Sequence, residues 1–270
     1  MTAPSQVDGQ CVGSDLVGAT GRAQTACMCF TNDQRPPDPP RSSEVGEHGR
    51  CELTAADGNR FAAYDAVPVT RRGASLVLLP DIRGMHPYYT DLALSFALAG
   101  VDVVALDPYG RTAGTSPRDD GFDYMPHAKA LEPAHVLADA HAAAARLRER
   151  SKDPVFTLGF CKFGAESWRL AATDLGAAGC MGFYGIPAGV LHDIAAMSAP
   201  LLVLAGGADQ ATSPQDNESF DRALTEAGKE HEYVMYDGAP HSFFDRTFTE
   251  WTSACSDAWV RMLGFMDRHR

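Results

Sequence analysis

The chain predicts an α/β fold: a mostly parallel central sheet with helices on both faces. Three observations point there: short, wholly apolar strands recur along the chain, helix-length segments separate them, and Gly, Pro and Asp mark the junctions. Strand and helix alternate at the spacing of βαβ units, whose strands are buried on both faces and so read as continuous apolar runs.

The 270 residues divide into an N-terminal extension over 1–49 and one α/β domain over 50–270. The extension has few periodic apolar positions, a Pro-rich stretch from Arg35 to Ser43, and Cys11, Cys27 and Cys29. It reads as an arm lying over the domain or as a disordered leader. With His48 and Cys51 nearby these cysteines invite a metal-cluster reading, but the paired spacings of compact zinc sites are absent and no metal is expected.

Within the domain, Cys51–Val67 holds two short alternating runs around Asp57-Gly58, a hairpin signal. Apolar strands follow at Ser75–Pro80 and Val101–Pro108, separated by a helix over His86–Gly100 that the glycine closes. An alanine-rich helix over Leu131–Ser151 leads to a strand at Val155–Phe160. A helix over Glu166–Gly176, strands at Cys180–Gly185 and within Ala199–Asp209, a helix over Pro214–Gly228, a strand at His231–Asp237 and a closing amphipathic helix ending at Arg268 complete the alternation.

A net charge of −12 argues against a nucleic-acid surface, which needs clustered Lys and Arg. An anionic substrate would have to be captured locally, by a few placed arginines. No run approaches the roughly 20 apolar residues of a membrane helix, and the opening MTAPSQVDGQ lacks the pattern of a signal peptide. Seven cysteines without an export signal read as reduced thiols, so a cytoplasmic location is expected.

Chemistry in such sheets collects at the carboxyl ends of the strands. "VFTLGFCKFG" puts Cys161 between a strand and a helix, with Gly159 two residues ahead, the context of a nucleophile elbow. The helix N-terminus favours a thiolate, as does Lys162 if its ammonium lies close. A second glycine is usual two residues after the nucleophile; here that position is Phe163, and Gly164 follows one step later. Either the neighbouring strand leaves room for the ring or the elbow is distorted.

Asp209 lies just beyond a later strand and His241 in the loop after the last one. The order Cys161, Asp209, His241 is that of nucleophile, acid and base in an α/β-hydrolase, where the base takes and returns a proton and the acid fixes its tautomer. Read singly, Asp209 is also a helix cap and Cys161 a buried thiol.

From Arg50 onward the sequence resembles the dienelactone hydrolase (carboxymethylenebutenolidase) family of α/β-hydrolases, through "LLPDIRG", "ALDPYGR", "GFCKFG", "GGADQATSP" and "APHSF". The resemblance implies an α/β-hydrolase fold, no cofactor, and cysteine-dependent hydrolysis of a small anionic enol-lactone or ester through a thioester. It implies that a carboxylate at Asp81 helps activate the thiol when substrate binds, although the family usually has Glu there; on its own Asp81 could equally order its loop. Oxyanion-hole N–H groups map to Ile82 and Lys162. Arg111 matches an arginine that binds the substrate carboxylate, Arg246 resembles a second displaced by one position, and Arg83 is a further candidate. Against these stand loop anchoring for Arg111 and a surface ion pair for Arg246. Tyr88, Tyr89 and Phe122 read as pocket wall or as core. A thioesterase or cyclase of the same fold, and a binding protein without turnover, are the alternative functions; a homodimer is one arrangement open to the chain.

Overall fold

The computed structural model describes residues 34–119, 121–245 and 248–270, so Cys11, Cys27, Cys29 and Arg246 lie outside the described residues. Eight strands form one sheet: β1 (Val45–Thr54), β2 (Arg60–Pro68), β3 (Ser75–Leu79), β4 (Asp102–Leu106), β5 (Val155–Phe160), β6 (Gly179–Phe183), β7 (Leu201–Gly206) and β8 (His231–Tyr236). Their order is β1-β2-β4-β3-β5-β6-β7-β8. β1 and β2 form the expected hairpin, and β2 runs antiparallel to β4; all other pairs are parallel. β1 begins at Val45, so the boundary read at 49/50 falls inside that strand.

The five inner parallel strands β3 to β7 are buried at every residue, as continuous apolar runs should be when helices cover both faces. Period-two alternation divides their side chains between two cores. Leu76, Leu78, Val103, Phe156, Leu158 and Phe160 point toward α1 (Pro87–Leu98) and α7 (Thr252–Arg268). Val77, Leu79, Val104, Val155 and Val203 point toward α4 (Pro133–Arg150), α5 (Lys162–Leu170) and α6 (Pro214–Glu226). Two short helices over Gly110–Ala113 and Met125–Ala130, and 3-10 turns over Pro187–Gly189 and Leu191–Ala196, were not expected from the sequence. One or two turns are too short to show a helical period.

α5 starts at Lys162 and ends at Leu170, displaced toward the cysteine from the expected Glu166–Gly176. Its first turn is hidden in a motif of Lys, Phe and Gly that carries no amphipathic pattern. Residues 34–43 lie along α1 and α7: Arg35 pairs with Asp91 at 3.1 Å, Ser42 N–H donates to Leu98 at 3.0 Å, and the Trp259 indole donates to the Pro37 carbonyl at 3.2 Å. Among the described residues no helix is long and apolar enough to cross a membrane.

Candidate active site

Cys161 sits between β5 and α5 at φ 54° and ψ −122°, a conformation unusual for a residue with a Cβ and the mark of a sharp elbow. Two glycines make the turn possible. A Cβ on Gly159 would lie 1.8 Å from the Phe163 carbonyl oxygen, and one on Gly164 would lie 2.5 Å from that of Phe183. Gly164 therefore provides the close approach to β6. The Phe163 ring is fully buried and meets Tyr109 edge-on at 6.3 Å, so there is room for it without loss of the elbow. The Cys161 N–H donates to Phe183 at 3.1 Å. The Lys162 N–H, in the first turn of α5, has no carbonyl one turn back to take it.

His241 Nδ1 is 2.8 Å from Asp209 Oδ2. The other carboxylate oxygen of Asp209 accepts from the Ala211 and Thr212 N–H groups at 2.7 and 3.3 Å, which fixes the acid on its loop and leaves Oδ2 for the imidazole. Burial opposes the charged imidazole, but hydrogen bonds with Asp209 and Cys161, and the negative charge of both, push its pKa up to about 10. His241 thus lies between Asp209, to which it is hydrogen-bonded, and Cys161, whose charge acts on it.

α1 and the end of β6 hold the histidine loop. The Tyr88 hydroxyl donates to the Phe244 carbonyl at 3.1 Å, and Tyr89 lies 3.4 Å from an Asp245 oxygen. Tyr184, at φ 37°, packs its ring 4.8 Å from that of His241. Tyr88 is 1 % exposed and anchors the loop that carries His241.

β3 and β5 pair Leu79 with Gly159, so Asp81 and Cys161, each two residues further on, leave the sheet side by side. Both Asp81 oxygens face its own neighbour. Arg83 Nε is 3.0 Å from each, a terminal nitrogen is 2.6 Å from Oδ2, and the Arg83 N–H donates to Oδ1 at 2.9 Å. Asp81 orders its loop in this state. The Ile82 carbonyl between them accepts from the Tyr109 hydroxyl at 2.5 Å, which holds the peptide that follows the one whose N–H was assigned to the oxyanion hole.

The arginine expected to receive a substrate carboxylate is engaged elsewhere. Arg111 places one terminal nitrogen 2.6 Å from Asp139 and the other 2.5 Å from Asp57, which ties the β1–β2 turn to α4. Sequence reasoning also missed Tyr109 and the fully buried Asp245. A polar residue between two phenylalanines and the next arginine was the only sign of Asp245, and for Tyr109 there was none beyond its place after a strand.

The dienelactone hydrolase family model matches residues 61–270. A carboxymethylenebutenolidase of Rhodococcus opacus is 27 % identical over 263 residues, covering 90 % of this chain and 97 % of that protein. A Bradyrhizobium sp. protein, named as a probable 2-oxo-3-(5-oxofuran-2-ylidene)propanoate lactonase, is 27 % identical over 242 residues, 84 % of this chain and 93 % of its own. Among solved structures, a candidate dienelactone hydrolase from Klebsiella pneumoniae subsp. pneumoniae superposes with a TM-score of 0.70 at 23 % identity, covering 82 % of this chain and 99 % of that one. At that identity the likeness is one of fold.

Proposed function

The chain belongs to the dienelactone hydrolase family of α/β-hydrolases, and from that premise we propose that it hydrolyses a small lactone or carboxylic ester at Cys161 through a thioester. The observation that carries the reading is the linked Cys161, His241 and Asp209 at a strained elbow. In the proposed reaction Cys161 Sγ attacks the acyl carbon, and negative charge builds on its oxygen beside the N–H groups of Lys162 and Ile82. The C–O bond breaks; the leaving oxygen takes the proton held on His241, and the acyl group stays on sulfur. His241 then removes a proton from water as the water attacks the thioester. Collapse releases the carboxylic acid and returns the Cys161–His241 pair.

Asp209 orients His241 and stabilises its charged form. Asp81 remains the acid proposed to assist the thiolate, and in that role it has to exchange its Arg83 partner for the cysteine. Supporting the reading, Asp81 and Cys161 leave adjacent strands in register.

The test is hydrolysis of cis- and trans-dienelactone and of simple aryl esters, followed by ultraviolet absorbance, with wild-type and Cys161→Ala proteins compared. Turnover in the wild type and none in the variant is expected. Substantial turnover by a well-folded Cys161→Ala protein rules the mechanism out.

A further inference from the structure

The two N–H groups proposed to receive the oxyanion stand on different elements, Ile82 in the loop after β3 and Lys162 at the start of α5. The loop is a tight turn over Asp81–Gly84. Its Gly84 N–H donates to the Asp81 carbonyl at 3.0 Å, and its Arg83 N–H to Asp81 Oδ1 at 2.9 Å. The Ile82 N–H, at the second position of the turn, takes part in neither bond. A turn held by its own bonds can still rock as a unit, so its donor is only as well placed as the turn is seated.

Tyr109, just after β4, reaches both elements. Its hydroxyl donates to the Ile82 carbonyl at 2.5 Å, and its ring meets that of Phe163, the residue after Lys162, edge-on at 6.3 Å. A Cβ on Gly84 would lie 3.0 Å from the Tyr109 ring, so the glycine lets the turn rest against it. The tyrosine is itself held: it is 1 % exposed, and its N–H donates to Asp107 Oδ1 at 3.3 Å. A carbonyl only accepts, so the hydroxyl must supply the proton. Burial, and then the charges of Asp81, Asp107 and Cys161, raise the phenol's pKa and keep that proton in place.

We infer that Tyr109 is a positioning residue of the hydrolysis: one side chain sets the spacing of the two oxyanion donors, its hydroxyl seating the Ile82 turn and its ring resting on Phe163 beside Lys162. This rests on the hydrolase reading of Cys161. Tyr109 acts through the two backbone segments and contacts no reacting atom. Donors held in advance at the right separation stabilise the oxyanion without reorganising when its charge forms. Without the hydroxyl the ring still packs, but the turn is free to rock and the Ile82 donor loses its aim.

The test compares two reactions of Cys161 in the wild type and in Tyr109→Phe. One is acylation by p-nitrophenyl acetate, followed as nitrophenolate release with enzyme in excess; it builds charge on the acyl oxygen. The other is alkylation by iodoacetamide, in which sulfur bonds to the methylene carbon as iodide leaves and no oxyanion forms. Acylation is expected to fall roughly 10–100-fold, less than or equal to the loss of a whole donor, while alkylation stays within about twofold of the wild type, the part that elbow and histidine alone supply. Should Tyr109→Phe not fold, Phe163→Leu keeps the hydroxyl but frees the ring, and the same split between the two rates is expected. Acylation at the wild-type rate overturns the inference. Equal losses in both rates overturn it too, because Tyr109 would then support the elbow as a whole. A wild type that neither acylates nor takes up iodoacetamide at Cys161 refutes the hydrolase reading, and the inference with it.

Discussion

Replacing Asp209 with Asn tests how the histidine is set. In the native site one Asp209 oxygen takes two N–H groups of its own loop and the other faces His241 Nδ1 at 2.8 Å. The asparagine carbonyl can serve the loop only by turning its NH2 toward the imidazole. A donor then meets Nδ1, the ring holds its proton on Nε2, and it can no longer take one from Cys161 or water. Asp209 is 1 % exposed at its side chain. Breaking a buried charged pair costs roughly 3–5 kcal/mol, which, expressed wholly in the transition state, is a fall in kcat of roughly 10²–10⁴.

The same change removes the strongest influence raising the histidine's pKa from 6.5 to about 10. A raised pKa in the folded state gives stability that is fully present below pH 6.5 and is lost as pH rises through about 10. At about 1.36 kcal/mol per pKa unit its upper bound is roughly 4–5 kcal/mol, shared with Cys161. Urea unfolding from pH 6 to 10 should therefore show a smaller fall in stability for the variant, alongside its loss of kcat on an activated ester. Wild-type kcat with an unchanged pH profile would refute the assigned role of Asp209.

Two further outcomes separate anchoring from substrate contact. Arg111→Ala should lower stability by roughly 3–5 kcal/mol, because it leaves a buried carboxylate at Asp139 without its cation, while KM for a cleaved substrate stays close to wild type; thermal and urea melts with steady-state kinetics check both. Tyr88→Phe should cost about 1–3 kcal/mol by leaving the buried Phe244 carbonyl unpaired, and it should lower kcat through a looser histidine loop with little change in KM.

The candidate residues Cys161, Asp209 and His241 were legible because each stands at the end of a strand that the apolar runs already mark, and because their chain order is informative in itself. Phe163 was not, since whether a ring fits depends on Gly164 and β6, and the motif alone does not say which glycine approaches the strand. The ion pairs of Arg111 were hidden for a related reason: its carboxylates lie 54 and 28 residues away, in a turn and a helix with no sequence sign of a shared partner. Tyr88 and Tyr89 show the limit of periodicity. A helical stripe tells that both are inward, but whether inward means pocket or core depends on a loop 156 residues later.

The contact between Trp259 and Pro37 joins residues 222 positions apart. During synthesis Pro37 emerges early and its partner is made near the end, so at about 5–20 residues per second the strap waits roughly 10–45 s for α7. Until then α1 lacks both the helix beside it and the segment that crosses them. The central strands can pair in that interval, but the layer holding Tyr88, Tyr89 and the histidine loop is completed only when the last helix arrives. Closure of the strap is thus a late folding event, and catalytic competence should appear with it rather than with formation of the sheet.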